Sequence, residues 1–239
     1  MMERIDELKP LYDSLLSKFT NEEWNCYCTF FIQKGKEFDS SKNRILFIGK
    51  SVNGWISSSK NVDELFSQSN LSRIVNRDDE IEWVQNCAGS AKGYNSRKSA
   101  FWRIIIGVIN RIEKKKEWFK YVSWSNLYKV SPDSGNPNSN MKRKQQEICC
   151  SILDKEIEIL NPRTIVFLTS GWENFYVRHI GLDPQKNKKV KWGRHTASFQ
   201  EFNGVKYIFS QHPQGKREDC HIDAICSIIE GISESLLET

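Results

Sequence analysis

The sequence predicts an α/β protein, a three-layer α/β/α sandwich whose mostly parallel central sheet is covered by helices on both faces, with an edge hairpin strand. Three observations predict it. Residues 44–49, 121–126 and 164–170 are short runs of strand-forming residues, and those at 44–49 and 164–170 are almost uninterrupted apolar stretches, as suits strands buried on both faces. The segments between them carry apolar residues at helical spacing, so strand–helix–strand connections follow in order, with right-handed crossovers. Asn203 and Gly204 separate two β-rich flanks, residues 196–202 and 205–211, which is a hairpin signal.

The elements are justified in chain order. Ile5, Leu8, Tyr12, Leu15, Leu16 and Phe19 recur at helical spacing, so residues 1–20 read as an amphipathic helix. A second helix is expected over 22–33, and strand one over 44–49. The polar stretch 51–93 reads as loops and short helices. Phe101, Trp102, Ile105, Val108, Ile109 and Ile112 mark a helix over 97–118, and strand two follows at 121–126. Two prolines, one glycine and three asparagines make 132–140 a loop. A helix over 142–160 ends at Asn161 and Pro162. Strand three, a short helix over 172–179 and a basic loop reaching Arg194 come next. In the hairpin, the second arm is the fourth core strand and the first lies at the edge. A last helix spans 220–237.

The length of 239 residues suits a single domain over 1–239, with an N-terminal helical extension at about 1–40. The seven cysteines are an odd number in a long chain with no apolar leader, which argues against a disulfide framework and for a cytoplasmic protein. No apolar stretch is long enough to span a bilayer, so no membrane partner is expected. The net charge of +5 permits a polyanionic partner. Its cations are concentrated at 114–116, 142–144, 186–194 and 216–217, and the last three groups are candidates for phosphate contacts.

Open α/β sheets bind ligands beyond the carboxyl ends of their strands. Here those ends are polar: Gly49, Lys50, Ser51 and Asn53; Ser125 and Asn126; Thr169, Ser170 and Gly171; and Gln211, His212 and Pro213. The four ends are expected to converge on one polar site. His212, between an apolar strand and a rigid proline, is the most distinctive of them.

In order and content these segments resemble the uracil-DNA glycosylase superfamily. The resemblance rests on the first loop from Ile48 to Gly54, on Asn126 before a Pro- and Asn-rich loop, on Asn161 and Pro162 leading into an apolar strand, and on His212 followed by Pro213. It covers about residues 44–230. It implies a four-stranded parallel core in the order 2-1-3-4, and excision of uracil or a related damaged base from DNA, single-stranded or damaged, without metal or cofactor. It also implies residue roles. His212 faces the base carbonyl, and Asn126 reads the base edge through a donor and an acceptor. Asn53 orients water, and Tyr94, Phe101 or Trp55 stacks on the base. Lys216 and Arg217 contact phosphate, and Ser170 is a turn or phosphate-contact residue.

The sequence departs from the family at the first loop. Lys50 and Ser51 stand where an acidic residue or Asn is usual, and no carboxylate occurs between Arg44 and Val62. Asp63, Glu64 or the acidic residues 78–80 are the candidates to return to the site. Lys50 can instead bind phosphate or attack the sugar as an amine. Cys26 and Cys28 are spaced too tightly for the four-cysteine iron–sulfur class, and Val130 stands where a further cysteine is expected. Gln214 replaces the apolar wedge that opens duplexes. The alternative function is a catalytically weak or inactive protein that holds nucleic acid or a nucleotide; a third is an unrelated doubly wound enzyme.

Overall fold

Short apolar runs do form the sheet strands. The computed structural model describes residues 4–52, 61–66 and 80–232. Its strands are β1 Tyr27–Thr29, β2 Gln33–Lys34, β3 Ile45–Gly49, β4 Val122–Asn126, β5 Val130–Pro132, β6 Thr164–Leu168, β7 Lys188–Trp192, β8 His195–Phe202 and β9 Val205–Ser210. The α-helices are α1 Lys9–Leu16, α2 Val62–Phe66, α3 Glu82–Asn86, α4 Ala100–Glu113, α5 Ser139–Leu160, α6 Asn174–His179 and α7 Glu218–Glu230. Two compact units result, the first from Met1–Gln33, Gly49–Glu80 and Ser125–Asn161, the second from Lys34–Ile48, Ile81–Trp124 and Pro162–Thr239.

The second unit carries the main sheet, apart from the terminal residues of three strands. Among the described residues this sheet has seven strands, in the order β2-β4-β3-β6-β9-β8-β7, rather than four and an edge strand. β6 pairs parallel with β3 and with β9, whereas β8 runs antiparallel to β9 and β7, so the sheet is mixed. Every residue of β3 and of β6 is buried, as their unbroken apolar runs require. The hairpin turns at Asn203 and Gly204, with φ of 49° and 76°, the paired positive values that match strand twist. β8 is not the edge. The segment expected as a basic loop forms β7 outside it, because Val190 and Trp192 alternate with lysines and turn toward the side of Ala197.

In the first unit, α5 is capped by Asn138, whose side chain accepts from the Met141 amide at 2.9 Å, and ends at left-handed Asn161, φ 45°. The N-terminal extension is not wholly helical. A 3-10 turn at Ile5–Leu8 leads into α1, but the helix expected over 22–33 is a 3-10 turn, Glu23–Asn25, followed by β1 and β2. The reason is burial. Phe30, Phe31 and Ile32 are successive and all buried, which one face of a surface helix cannot provide. β1 pairs antiparallel with β5, Tyr27 opposite Pro132.

Two glycines of the second unit differ in what they tolerate. A Cβ on Gly35 would lie 2.3 Å from the Phe119 carbonyl oxygen and 2.5 Å from that of Lys120, both main chain. On Gly107 it would meet the Ile222 Cδ1 at 2.3 Å, the tip of a side chain that can rotate. Gly35→Ala is therefore expected to lower the denaturation midpoint strongly, by the equivalent of about 3 kcal/mol. Gly107→Ala will cost about 1 kcal/mol. Equal losses in urea titrations of the two variants would contradict this.

Candidate functional site

The strand ends form two polar groupings, one in each unit. The first contains Gly49, Lys50, Ser51 and Asn126. The Leu127 amide donates to the Gly49 carbonyl at 2.9 Å, and the Tyr128 amide to the Lys50 carbonyl at 3.0 Å. Asn126 ends β4 with 1% of its surface exposed, and its side-chain Nδ2 has no hydrogen-bond partner among the described residues. The buried Ser51 hydroxyl likewise has no hydrogen-bond partner among the described residues. Leaving such a donor unmade costs about 1–3 kcal/mol, and an orphaned buried amide in a folded protein points to something that satisfies it.

The carbonyl of Asn126 is held from below. Lys129 Nζ donates to it at 2.8 Å, to Ser125 Oγ at 2.6 Å and to Glu156 Oε2 at 2.7 Å. The Ser125 hydroxyl donates in turn to Glu156 Oε2 at 2.6 Å. Both charged side chains are fully buried. Burial pushes the Glu156 carboxyl upward, while Lys129 and Ser125 pull it back. The Gln145 amide completes the frame, accepting from the amides of Lys129 and Val130 and donating to the Val130 carbonyl at 2.8 Å. The Cys149 thiol points at Gln145 Oε1, 3.4 Å away, and burial raises its pKa to about 12.

The second grouping joins the ends of β6 and β9. The Ser170 hydroxyl accepts from the His212 amide at 2.7 Å, and the Thr169 and Ser170 amides reach the Ser210 carbonyl at 3.3 and 3.2 Å. Ser170 has φ 55° and Gly171 87°, so a non-glycine residue is kept in a left-handed conformation where strain is concentrated. Ser170, the residue expected at a turn or a phosphate contact, thus fixes the backbone of His212. The His212 ring is half-buried, Lys216 is half-buried, and exposed Arg217 pairs with Asp219 at 2.7 Å.

Tyr94 and Phe101 belong to one aromatic cluster in the second unit. Tyr94 is 47% exposed and packs on Trp83, and Phe101 packs on Trp102 and Trp124. Trp83 also contacts Trp102 and Trp124. Asn53 and Trp55 lie outside the described residues, as do Asp78 and Asp79.

His221 was not singled out in the sequence. It lies fully buried on α7, its ring flat against Trp192 at 4.1 Å and 5°, with Nε2 2.7 Å from Ser210 Oγ. Burial, with Lys216, His195 and His212 adding positive charge, lowers its pKa from 6.5 to about 3. The depressed value means that the folded state favours the neutral ring. Its contribution to stability is full above about pH 6.5 and is lost as pH falls toward about 3. His221→Phe keeps the stack and removes the titration. It should flatten the fall in stability between about pH 6 and pH 4 by up to ~1.4 kcal/mol per pH unit. Denaturant titrations across that range check this, and parallel curves for the two proteins would refute it.

Among the described residues no helix is long and apolar enough to cross a membrane. No protein-family model matches the chain, and no curated protein matches it.

Proposed function

We propose that the protein is a uracil-DNA glycosylase-like enzyme that cleaves the N-glycosidic bond of uracil or a related damaged base in DNA. The observation that carries the reading is Asn126. Its amide is buried on a rigid backbone, and its donor is without a partner among the described residues. An amide of this kind offers a donor and an acceptor to the edge of a pyrimidine. On the same reading His212 donates to the base carbonyl as the base leaves as an anion. Tyr94 or Phe101 supplies a stacking ring, and the four inner strands are the parallel core of a three-layer sandwich. The water that attacks the sugar would be oriented from the first loop, by Asn53.

A second reading is favoured by one feature of the sequence, the stretch from Arg44 to Val62 without a carboxylate. A site lacking a general base can hold a nucleic acid or a nucleotide without hydrolysing it. One experiment separates the two. Purified protein, in excess over oligonucleotides carrying uracil, hypoxanthine or an alkylated base, is assayed for free base. Release from the uracil strand is expected. Binding without release from any strand would discard the enzyme and leave the binding protein.

A further inference from the structure

One edge of the sheet carries a local excess of positive charge. Between Asp183 and Glu201 the chain contains Lys186, Lys188, Lys189, Lys191 and Arg194 and no carboxylate. These five cations equal the whole formal excess of +5, and the rest of the chain balances. All five are exposed. Lys186, Lys189, Lys191 and Arg194 make no ion pair with a described residue.

The fold arranges them. β7 is the outermost strand of the sheet. In its pairing with β8, Lys189 lies opposite Ser198 and Lys191 opposite Thr196. The alternation of a strand puts these four residues on one face and the buried Trp192 and Ala197 on the other. Two lysines two residues apart stand about 6.6 Å from one another along the strand, close to the spacing of successive phosphates on an extended nucleic-acid strand, with two hydroxyls beside them.

We infer that the β7–β8 edge is a contact surface for the phosphate backbone of a nucleic acid. It rests on the proposed function for the identity of the polyanion, and adds to it a place where the substrate strand is held by charge rather than by its bases. Counterion release from unpaired lysines supplies such binding without sequence preference. A membrane surface fits less well. A helix or strand that lies on lipid inserts apolar side chains, and of the apolar residues of this hairpin Trp192, Ala197 and Phe199 are buried and Val190 and Phe202 half-buried, so none stands fully exposed for insertion. Lysines on an edge strand also deter edge-to-edge aggregation, and the choice of substitution separates that role. Lys189→Glu with Lys191→Glu keeps the edge charged and reverses its attraction for phosphate.

The test compares wild type with this double variant. Probes are a fluorescent single-stranded oligodeoxynucleotide, the same sequence as duplex, and phosphatidylserine vesicles, each through a salt series. The inference expects weaker oligonucleotide binding by the variant. The slope of log K against log salt should be shallower by about 1.4 on the single strand and about 1.8 on the duplex. Size-exclusion profile and thermal midpoint should be unchanged. Lys189→Gln with Lys191→Gln should show the same change of slope with a smaller loss of affinity. An unchanged slope in a folded variant overturns the inference and leaves the proposed function standing, as does a loss confined to vesicles. Failure of wild type to bind any oligonucleotide at low salt overturns both. A shallower slope in a protein that releases no base supports the surface and removes the enzyme.

Discussion

Lys129→Ala or Glu156→Ala, alone, will cost about 3–5 kcal/mol. A single domain has about 5–15 kcal/mol in total, so either variant will be unfolded or close to it at ordinary temperature. The pair lies wholly out of water, and removing one partner leaves the other as an uncompensated buried charge. Glu156 is already costly, because its Oε1 is buried with no hydrogen-bond partner among the described residues. The double variant Lys129→Met with Glu156→Leu removes both charges and should recover most of the loss. Recovery will not be complete. The Asn126 carbonyl and the Ser125 hydroxyl both lose the Lys129 ammonium, at about 1–3 kcal/mol for an acceptor left buried and unsatisfied. Chemical denaturation of wild type, Lys129→Met, Glu156→Leu and the double variant measures this as a cycle. Additive losses in the double variant would show that the two charges do not interact.

The same two residues mark the limit of what the sequence made legible. β3 and β6 could be read because a buried strand writes its burial as an unbroken apolar run. The hairpin could be read because Asn203 and Gly204 tolerate positive φ. Lys129 and Glu156 could not be read as partners, since their bond joins positions 27 residues apart. Half of the signal was present. Gln145, Cys149, Ile152, Leu153, Glu156 and Leu160 are the buried stripe of α5 together with Met141 and Cys150, and a carboxylate on that stripe demands a cation. His221 is the parallel case on α7, sharing its face with Ala224, Ile225 and Ile228. β1 and β7 were missed for a different reason. Three- and five-residue strands carry too few alternations to outweigh a local helical or loop composition. Of the candidate site, residue types at strand ends were legible. The hydroxyl of Ser170 on the His212 backbone was not, because it depends on the register of β6 with β9.

That bond makes the catalytic prediction sharper than a simple deletion. On the proposed reading, His212→Ala and Asn126→Ala will each lower kcat/KM for base release by about 10²–10³-fold, the loss expected when one preorganised hydrogen-bonding group is removed from a developing anion or its recognition edge. Neither should unfold the protein. The Ser170 hydroxyl holds the backbone amide of His212, which alanine retains, and the Asn126 carbonyl held by Lys129 is also backbone. Ser170→Ala acts differently. It leaves the imidazole in place and frees its main chain, so kcat should fall by about 10-fold or more with KM little changed. For Asn126 the loss should appear in discrimination as well as in rate. Wild type should prefer uracil over thymine, and Asn126→Ala should narrow that ratio, because an edge is rejected through polar groups left unpaired. Steady-state rates of release across a range of single-stranded substrate concentrations give all of these quantities. Full activity in folded His212→Ala would remove His212 from the chemistry. An unaltered uracil preference in Asn126→Ala would leave its orphaned amide without the role assigned to it.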